Sequence, residues 1–370
     1  MAVWYGVIPI AGGFYNRSKW KQFRNRFDEL RLTPLLDYRQ YRQMESEGGV
    51  FRFTGGIESI TDGRTLWVRG DDLTIPVSLE KTRCFLLPPH EEDGIPEAPE
   101  QIRWNRISTL TEGAKVFIGG QIKNEKNRLG FCSTKEKPLM VIFYDCPDTE
   151  LTAEIIRAAR TRNEYWNSIT PVSLAIGAIA LVYVAGSFLN RPAFRLTVIT
   201  ALVAIFVPAL PILPPGILLT GLYRRMTWQA RRFRAYRDLA QLPLRHINPD
   251  SESRLLWTGE RYGFIKLDSL AGQEPQEEIP WLIPENQKQG RKDKLYFFGV
   301  LAEDSPLPKR SKDPFVSFGV LPADPAHLAR RFFIKAYTME AFAWLILLLG
   351  IITNVIFIIF ILVLLRMTSP

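Results

Sequence analysis

The apolar positions of this chain gather into a few long uninterrupted runs, and the stretches between those runs alternate apolar with polar residues. Pro171 to Leu189 carries no formal charge. At a helical rise of about 1.5 Å per residue it covers roughly the 30 Å of a bilayer core, which predicts a membrane-spanning helix. Leu196 to Tyr223 is longer and also uncharged, but Pro208, Pro211, Pro214, Pro215 and Gly216 interrupt it. Each proline removes a backbone donor and obstructs the preceding turn. The pattern predicts a helix to about Val207, a break, and a short second piece from Gly216. Residues 171–223 then form a transmembrane hairpin, its broken arm either a kinked helix near one interface or the lining of a transport path. Ala341 to Leu365 predicts a further span, giving about three in all. Ser173, Gly177 and Ala180 form a small-residue face suited to helix packing, and Asn354, in mid-span, is placed to hydrogen-bond a neighbouring helix.

Elsewhere the period changes. Val50–Phe53, Thr65–Arg69, Leu73–Leu79, Arg83–Leu87, Lys115–Ile122, Leu129–Cys132 and Leu139–Tyr144 are short runs rich in Val, Ile, Phe and Leu, separated by turn signals such as Asp62-Gly63. Their spacing predicts a small barrel or sandwich over residues 49–146. The acidic, proline-rich stretch Pro88 to Glu100 reads as an exposed loop. Asp145-Cys146-Pro147-Asp148 is a helix-start signal, and residues 147–170 read as an amphipathic helix leading into the first span.

The second half repeats this plan. Lys115-Val-Phe-Ile-Gly-Gly120 has a counterpart in Lys294-Leu-Tyr-Phe-Phe-Gly299, and Lys137 to Phe143 in Asp313 to Phe318. Phe53-Thr-Gly55 matches Trp257-Thr-Gly259, and Ile75-Pro76 matches Ile279-Pro280. A duplication follows. Residues 248–322 form a second, OB-like β-module, 323–340 a second lead-in helix, and 341–366 the C-terminal span. The fold class is therefore an α+β membrane protein with two small β-modules, each followed by a lead-in helix and a transmembrane helix.

The order of strands and entering helix resembles the GIDE-type domain, the non-RING part of membrane-anchored E3 ubiquitin ligases. The likeness covers about residues 111–185 and again 293–350, and it is shared with bacterial integral membrane proteins of no assigned activity. It implies a membrane-anchored domain facing a cytosol-like compartment. Ligase activity is not implied, because those enzymes carry a cysteine- and histidine-rich RING and Arg366 to Pro370 supply no such ligands.

Charge sets the expected orientation. The chain has 370 residues and a formal net charge of +9. Arg224, Arg225, Arg231, Arg232, Arg234 and Arg237 follow the hairpin within residues 224–247, against a connecting loop that holds only Arg191 and Arg195. By the preference of basic residues for the cytoplasmic side, both β-modules face the cytoplasm, as in a bacterial inner membrane, and the six arginines contact anionic headgroups. Tyr165, Trp166 and Trp344 stand where aromatic belts form. Within residues 1–48, Val3 to Tyr15 is apolar but too short to span, so it dips into the membrane or lies on it. The basic stretch Arg17 to Arg42 is an amphipathic helix, either on an anionic surface or packed on the first module.

Candidate chemistry is sparse. His90, His246 and His327 are scattered without a second ligand at metal spacing. Gly119-Gly120 lies in a strand, which suits close backbone approach rather than a phosphate loop. Glu91, Glu92 and Asp93 read as solvated loop charges. Three cysteines, Cys84, Cys132 and Cys146, fit neither a disulfide framework nor a zinc pattern and read as buried thiols in a reducing setting. No catalytic residue, cofactor or metal is expected. The function classes left open are a non-enzymatic adaptor, scaffold or assembly factor, and a small transporter or channel component using the proline-broken segment. Membrane lipid is the expected partner, a homo-oligomer is compatible, and nucleic acid is disfavoured.

Overall fold

Strands and helices follow the two periods closely. The computed structural model describes residues 3–44, 47–61, 64–80, 82–88, 99–102, 113–125, 128–134, 136–161, 167–206, 216–247, 253–256, 258–267, 279–284, 294–302 and 305–368. Pro208, Pro211, Pro214 and Pro215, the acidic loop with His90, and Tyr165 with Trp166 lie outside them. Contacts divide the chain into two units, one of Met1–Lys21, Asn163–Phe233 and Phe333–Pro370, the other of Gln22–Arg162 and Arg234–Phe332.

The second unit holds all the β-structure among the described residues. Its strands are β1 (Glu47–Thr61), β2 (Thr65–Arg69), β3 (Thr74–Ser78), β4 (Arg83–Leu86), β5 (Glu100–Ile102), β6 (Lys115–Glu125), β7 (Arg128–Cys132) and β8 (Met140–Tyr144). They form one sheet in the order β1-β2-β3-β7-β6-β8-β4-β5, and a further pairing of β1 with β6 closes five of them into a barrel. The long β1 makes that closure possible. Its first half pairs with β6, from Val50 opposite Gln121 to Gly56 opposite Lys115, and its second half pairs with β2 across a register shift between Ile57 and Ser59. The sequence pattern shows only Val50–Phe53 of this strand, because Gly55 and Gly56 weaken the strand signal. Gly55 is required there, since a Cβ would stand 2.2 Å from the Arg69 carbonyl oxygen. Phe53, Ile57, Leu66, Val68, Ile75, Val77, Ile118, Ile122 and Phe131 share one buried core. Every residue of β8 is buried, as its uninterrupted apolar run implies for a strand covered on both faces.

The same unit contains a second sheet of β9 (Ser253–Leu255), β10 (Arg261–Leu267), β11 (Leu295–Val300) and β12 (Gly319–Leu321), all antiparallel, in the order β12-β11-β10-β9. The strand beside β11 starts at Gly319, so Asp313 to Phe318, expected as a strand, forms the turn before it. Thr258-Gly259, matched above to part of β1, precedes β10, with Gly259 at a φ of 79°. The two sheets belong to one unit and touch through Phe117 and Phe315, whose rings lie 5.3 Å apart.

Helices complete each unit. α1 (Ile8–Leu30) supplies Phe23, Phe27 and Leu30 to the β-unit, at helical spacing and each buried. Phe23 meets Phe85 at 4.5 Å, Phe27 meets Phe117 at 5.3 Å, and Leu30 sits where a Cβ on Gly119 would stand 2.8 Å away. Of the two readings of the basic amphipathic stretch, the structure has this part packed on protein. Gly119 and Gly120 are close approaches, the latter against Leu139. A short α2 (Tyr38–Gln43) is capped by Asp37, whose carboxylate accepts the Gln40 N–H at 2.7 Å. α3 (Asp148–Thr161) buries Leu151, Ile155, Ile156, Ala158 and Ala159 in the β-unit.

The other unit is helical. α4 (Ile169–Phe188) and α7 (Pro325–Thr368) are long and apolar enough to cross a membrane, and only 22% and 17% of their most apolar stretches are buried. A core helix of a soluble protein would be covered all round. The broken arm expected of the hairpin is described as two helices. α5 (Arg195–Ile205) is 11 residues, and α6 (Ile217–Gln241) runs on without interruption through the arginine-rich stretch that the sequence sets apart. Similarly, the second lead-in helix and the last span are the single helix α7.

Candidate functional site

Buried polar residues stand out in both units. In the β-unit, Arg52 lies between Phe51 and Phe53 on β1. Alternation turns Phe53 into the barrel and Arg52 outward, yet Arg52 is fully buried, because the turn before β12 covers that face. It donates from Nη2 to Asp313 Oδ2, and its guanidinium lies 4.9 Å from the centroid of Phe315. Asp313 Oδ1 accepts the Phe315 N–H at 3.1 Å, a turn that Asp followed by Pro314 favours. Both carboxylate oxygens are thus engaged.

Beside this pair, Arg31, at the end of α1, is buried, with Nε 3.1 Å from Asp28 Oδ1 and Nη1 3.0 Å from His246 Nε2. A guanidinium only donates, so His246 accepts at Nε2 and is neutral with its proton on Nδ1. Arg245 also donates to Asp28. The imidazole lies tilted against the Tyr262 ring, 5.3 Å between centroids, and the Tyr262 hydroxyl donates to the Ser317 carbonyl at 2.8 Å. Burial, then Arg31, Arg52, Arg254 and Arg245, push the His246 pKa down to about 2. Burial lowers the Arg31 and Arg52 pKa values, opposed in each case by the neighbouring aspartate. A third ion cluster joins α3 to the end of α6: Arg160 Nε lies 2.9 Å and Arg237 Nη2 2.7 Å from the Asp238 carboxylate. Burial alone would raise that carboxyl, but the two arginines outweigh it and hold it below the usual range.

These groups are engaged with one another inside the core. Such an arrangement fixes geometry and offers no acid or base to a substrate, since a catalytic group needs both access and a pKa near working pH. Among the described residues, no group of three His, Cys, Asp or Glu is placed to hold a metal ion. Cys84, Cys132 and Cys146 are free and buried, and burial pushes the Cys84 thiol up to about 12 and that of Cys146 up to about 11. His327 is exposed, its N–H donating to Asp324 at the start of α7.

In the helical unit, α6 begins beside α7. Asn354 is 1% exposed, and its Oδ1 accepts the Gly216 N–H at 3.2 Å. A Cβ on Gly350 would meet Leu219 at 3.4 Å, and Tyr223 meets Trp344 edge-on at 6.4 Å. α6 and α7 are therefore antiparallel here, and Asn354 satisfies an amide freed at the start of α6. Trp344 to Asn354 is about 15 Å of helix, half of a bilayer core. Asn354→Leu is expected to speed amide exchange over the first turn of α6 and to cost about 1 kcal/mol. Unchanged exchange would mean that the amide has another acceptor.

Ser173 and Gly177 are buried against the π-helical turn Val3–Val7: Ser173 Oγ donates to the Trp4 carbonyl at 2.6 Å, and a Cβ on Gly177 would stand 2.6 Å from Tyr5. Ala180 is exposed and takes no part in this contact; Ala185 does face a neighbour, packing with Val198 and Ala201 of α5. The six arginines differ among themselves. Arg224, Arg225 and Arg232 are exposed, Arg232 stacking on Trp228 at 4.7 Å. Arg231 and Arg234 are half-buried, and Arg237, also half-buried, donates to Asp238. Arg31, Arg52 and Asp313 carry no sequence signal as a group, because isolated charges beside apolar residues ordinarily face solvent.

Comparison with known protein families and with curated protein sequences yields no match.

Proposed function

We propose that this chain is a non-enzymatic integral membrane protein that presents its β-structured unit to the cytoplasm as an adaptor, scaffold or assembly factor, in a membrane of the bacterial inner type. The observation that carries this reading is the fate of the buried ionisable groups. Arg31, Arg52, His246 and Asp313 are engaged within the β-unit, so its exposed surface, rather than these groups, is what it offers. Exposed apolar faces on α4 and α7 support membrane residence.

The five-strand barrel is read as OB-like, on the ring order β1-β2-β3-β7-β6 with β3 and β7 parallel. The second sheet is read as a shortened copy in a revised register. β6 pairs with β8 at Phe117 opposite Ile142, as β11 pairs with β12 at Tyr296 opposite Leu321, so one offset relates both pairs. Cys84 lies parallel to Val141, as Trp281 lies parallel to Val320. On this register Trp281 answers β4 rather than β3. The GIDE-type resemblance rests on these same elements and remains part of the proposal. Arg224, Arg225 and Arg232 are the residues assigned to anionic headgroups. At about 1 kcal/mol per arginine, Arg224→Gln with Arg225→Gln should lower retention of phosphatidylglycerol over phosphatidylcholine, in mass spectrometry of protein released from mixed micelles, by roughly thirtyfold. Equal retention would remove the assignment.

The start of α6 at Gly216, held by Asn354, favours a second reading, a small transporter component built on a broken helix. Crosslinking in intact membranes, followed by mass spectrometry, separates the two. A defined partner crosslinked to the β-unit is the expected result. Homo-oligomers joined only through the helices would move the weight to transport. Replacing Pro208, Pro211 and Pro214 would then abolish flux, and would leave an adaptor intact.

A further inference from the structure

We infer that Val3 to Tyr15 is a one-leaflet insertion, a half-span helix lying against α4 with its outer stripe in contact with lipid acyl chains. The inference rests on the membrane reading above. The contacts fix direction and depth. Trp4 and Tyr5 meet α4 at Ser173 and Gly177, whereas the Pro9 carbonyl accepts from Asn167 Nδ2 at 3.3 Å and a Cβ on Gly12 would stand 2.8 Å from the same side chain. The segment therefore runs antiparallel to α4, with Val3 to Val7 deeper along it than Pro9 to Gly12. Ile169 to Gly177 is about 12 Å of helix, and Phe14 back to Val3 is about 16 Å, each close to half of a 30 Å bilayer core.

The outer face of the helix points to the occupant. Val3, Val7, Ile10 and Phe14 are exposed and lie on one stripe at spacings of three and four residues, and the same stripe continues into Arg17 and Lys21, also exposed. A water-facing helix would carry polar residues along its whole outer stripe. Here the stripe is apolar up to Phe14 and basic after it, and Phe14 and Tyr15 fall at the change, where aromatic rings prefer the headgroup level. On α4, against which the segment packs, Val172, Ile176 and Ile179 are exposed as well. Small and polar groups close the inner face, Ser173 and Gly177 admitting the turn Val3–Val7, so α4 itself covers one side and leaves only the outer stripe for lipid. The segment thus adds protein volume to a single leaflet.

Single cysteines at Val7, Phe14, Arg39 and Ile179, carrying a nitroxide, test this in the full chain reconstituted into phosphatidylethanolamine and phosphatidylglycerol vesicles. The unsubstituted protein serves as the control for its three buried cysteines. Collision with oxygen and with a polar nickel chelate is read at each site. Oxygen should be favoured over nickel by about an order of magnitude at Val7 relative to Arg39, because polar solutes are excluded from hydrocarbon. Val7 should also lie deeper than Phe14. Nickel access at Val7 equal to that at Arg39 overturns the insertion, exclusion of both reagents shows protein covering the stripe and also overturns it, and equal depth at Val7 and Phe14 replaces it with a helix lying flat. Ile179 distinguishes failures: if that site is reached by nickel, the membrane reading itself falls, whereas lipid exposure at Ile179 without it at Val7 sinks only the half-span.

Discussion

Asp313→Ala is expected to destabilise the β-unit by about 3–5 kcal/mol, the cost of leaving a buried charge without its partner. Arg52 is fully buried, and the turn that carries Asp313 also places Phe315 beside it and beside Phe117. Removing the carboxylate strips the guanidinium of its counter-charge and the Phe315 amide of its acceptor at once. The loss comes from desolvation, not from lost attraction alone, so the double variant Arg52→Met with Asp313→Leu should recover most of it. Neither side chain then needs a partner. Pulse proteolysis of the purified protein in detergent measures both. A single variant as stable as the parent, or a double variant worse than either single change, would show that the pair does not hold the two sheets together.

Acid should weaken the same unit through His246. The folded imidazole is held down to about 2 by burial and by Arg31, Arg52, Arg254 and Arg245, while an unfolded histidine titrates near 6.5. The native state therefore refuses a proton that the unfolded chain accepts. The contribution of His246 is fully present above about pH 6.5 and is lost at about 1.4 kcal/mol per pH unit as pH falls below that value. Between pH 6.5 and 4.5 the expected loss is about 2–3 kcal/mol. Asp238, held low by Arg160 and Arg237, adds to acid loss only nearer the carboxylate range, so the two windows separate. His246→Gln keeps an acceptor for Arg31 and cannot titrate, and its stability should be nearly flat over this interval. A slope equal to that of the parent would assign the acid sensitivity elsewhere.

Much of the architecture is legible along the chain because local pattern suffices for it. Uncharged runs the length of a bilayer mark α4 and the second half of α7, and runs of Val, Ile and Phe bounded by Gly and Asp mark β2, β3, β4, β6, β7 and β8, with the end of β6 at Glu125 rather than Ile122. Where one residue serves two neighbours, the pattern fails. β1 is shared between β2 and β6, with a register shift between Ile57 and Ser59, and only Val50–Phe53 of it reads as a strand. The triplet Phe51-Arg52-Phe53 alternates as a surface strand does, and nothing local tells that a turn from 261 residues away covers its outer face. The strand expected at Asp313 to Phe318 fails likewise: local pattern does not tell it from a turn, and backbone pairing puts the strand at Gly319–Leu321.

Composition and periodicity by themselves determine that this chain has helices fit for a bilayer, a β-rich portion and a strongly basic stretch after the first hairpin, because burial, hydrogen-bond satisfaction in lipid and strand alternation are properties of neighbouring residues. Tertiary structure alone decides that the β-rich portions belong to one unit, that Arg31, Arg52, His246 and Asp313 are buried within it, that Arg237 is held by Asp238, and that Asn354 receives the amide at Gly216. Each of these depends on which distant surface removes a polar group from water, and the free energy of a charge or an amide is set by that surface rather than by its place in the sequence.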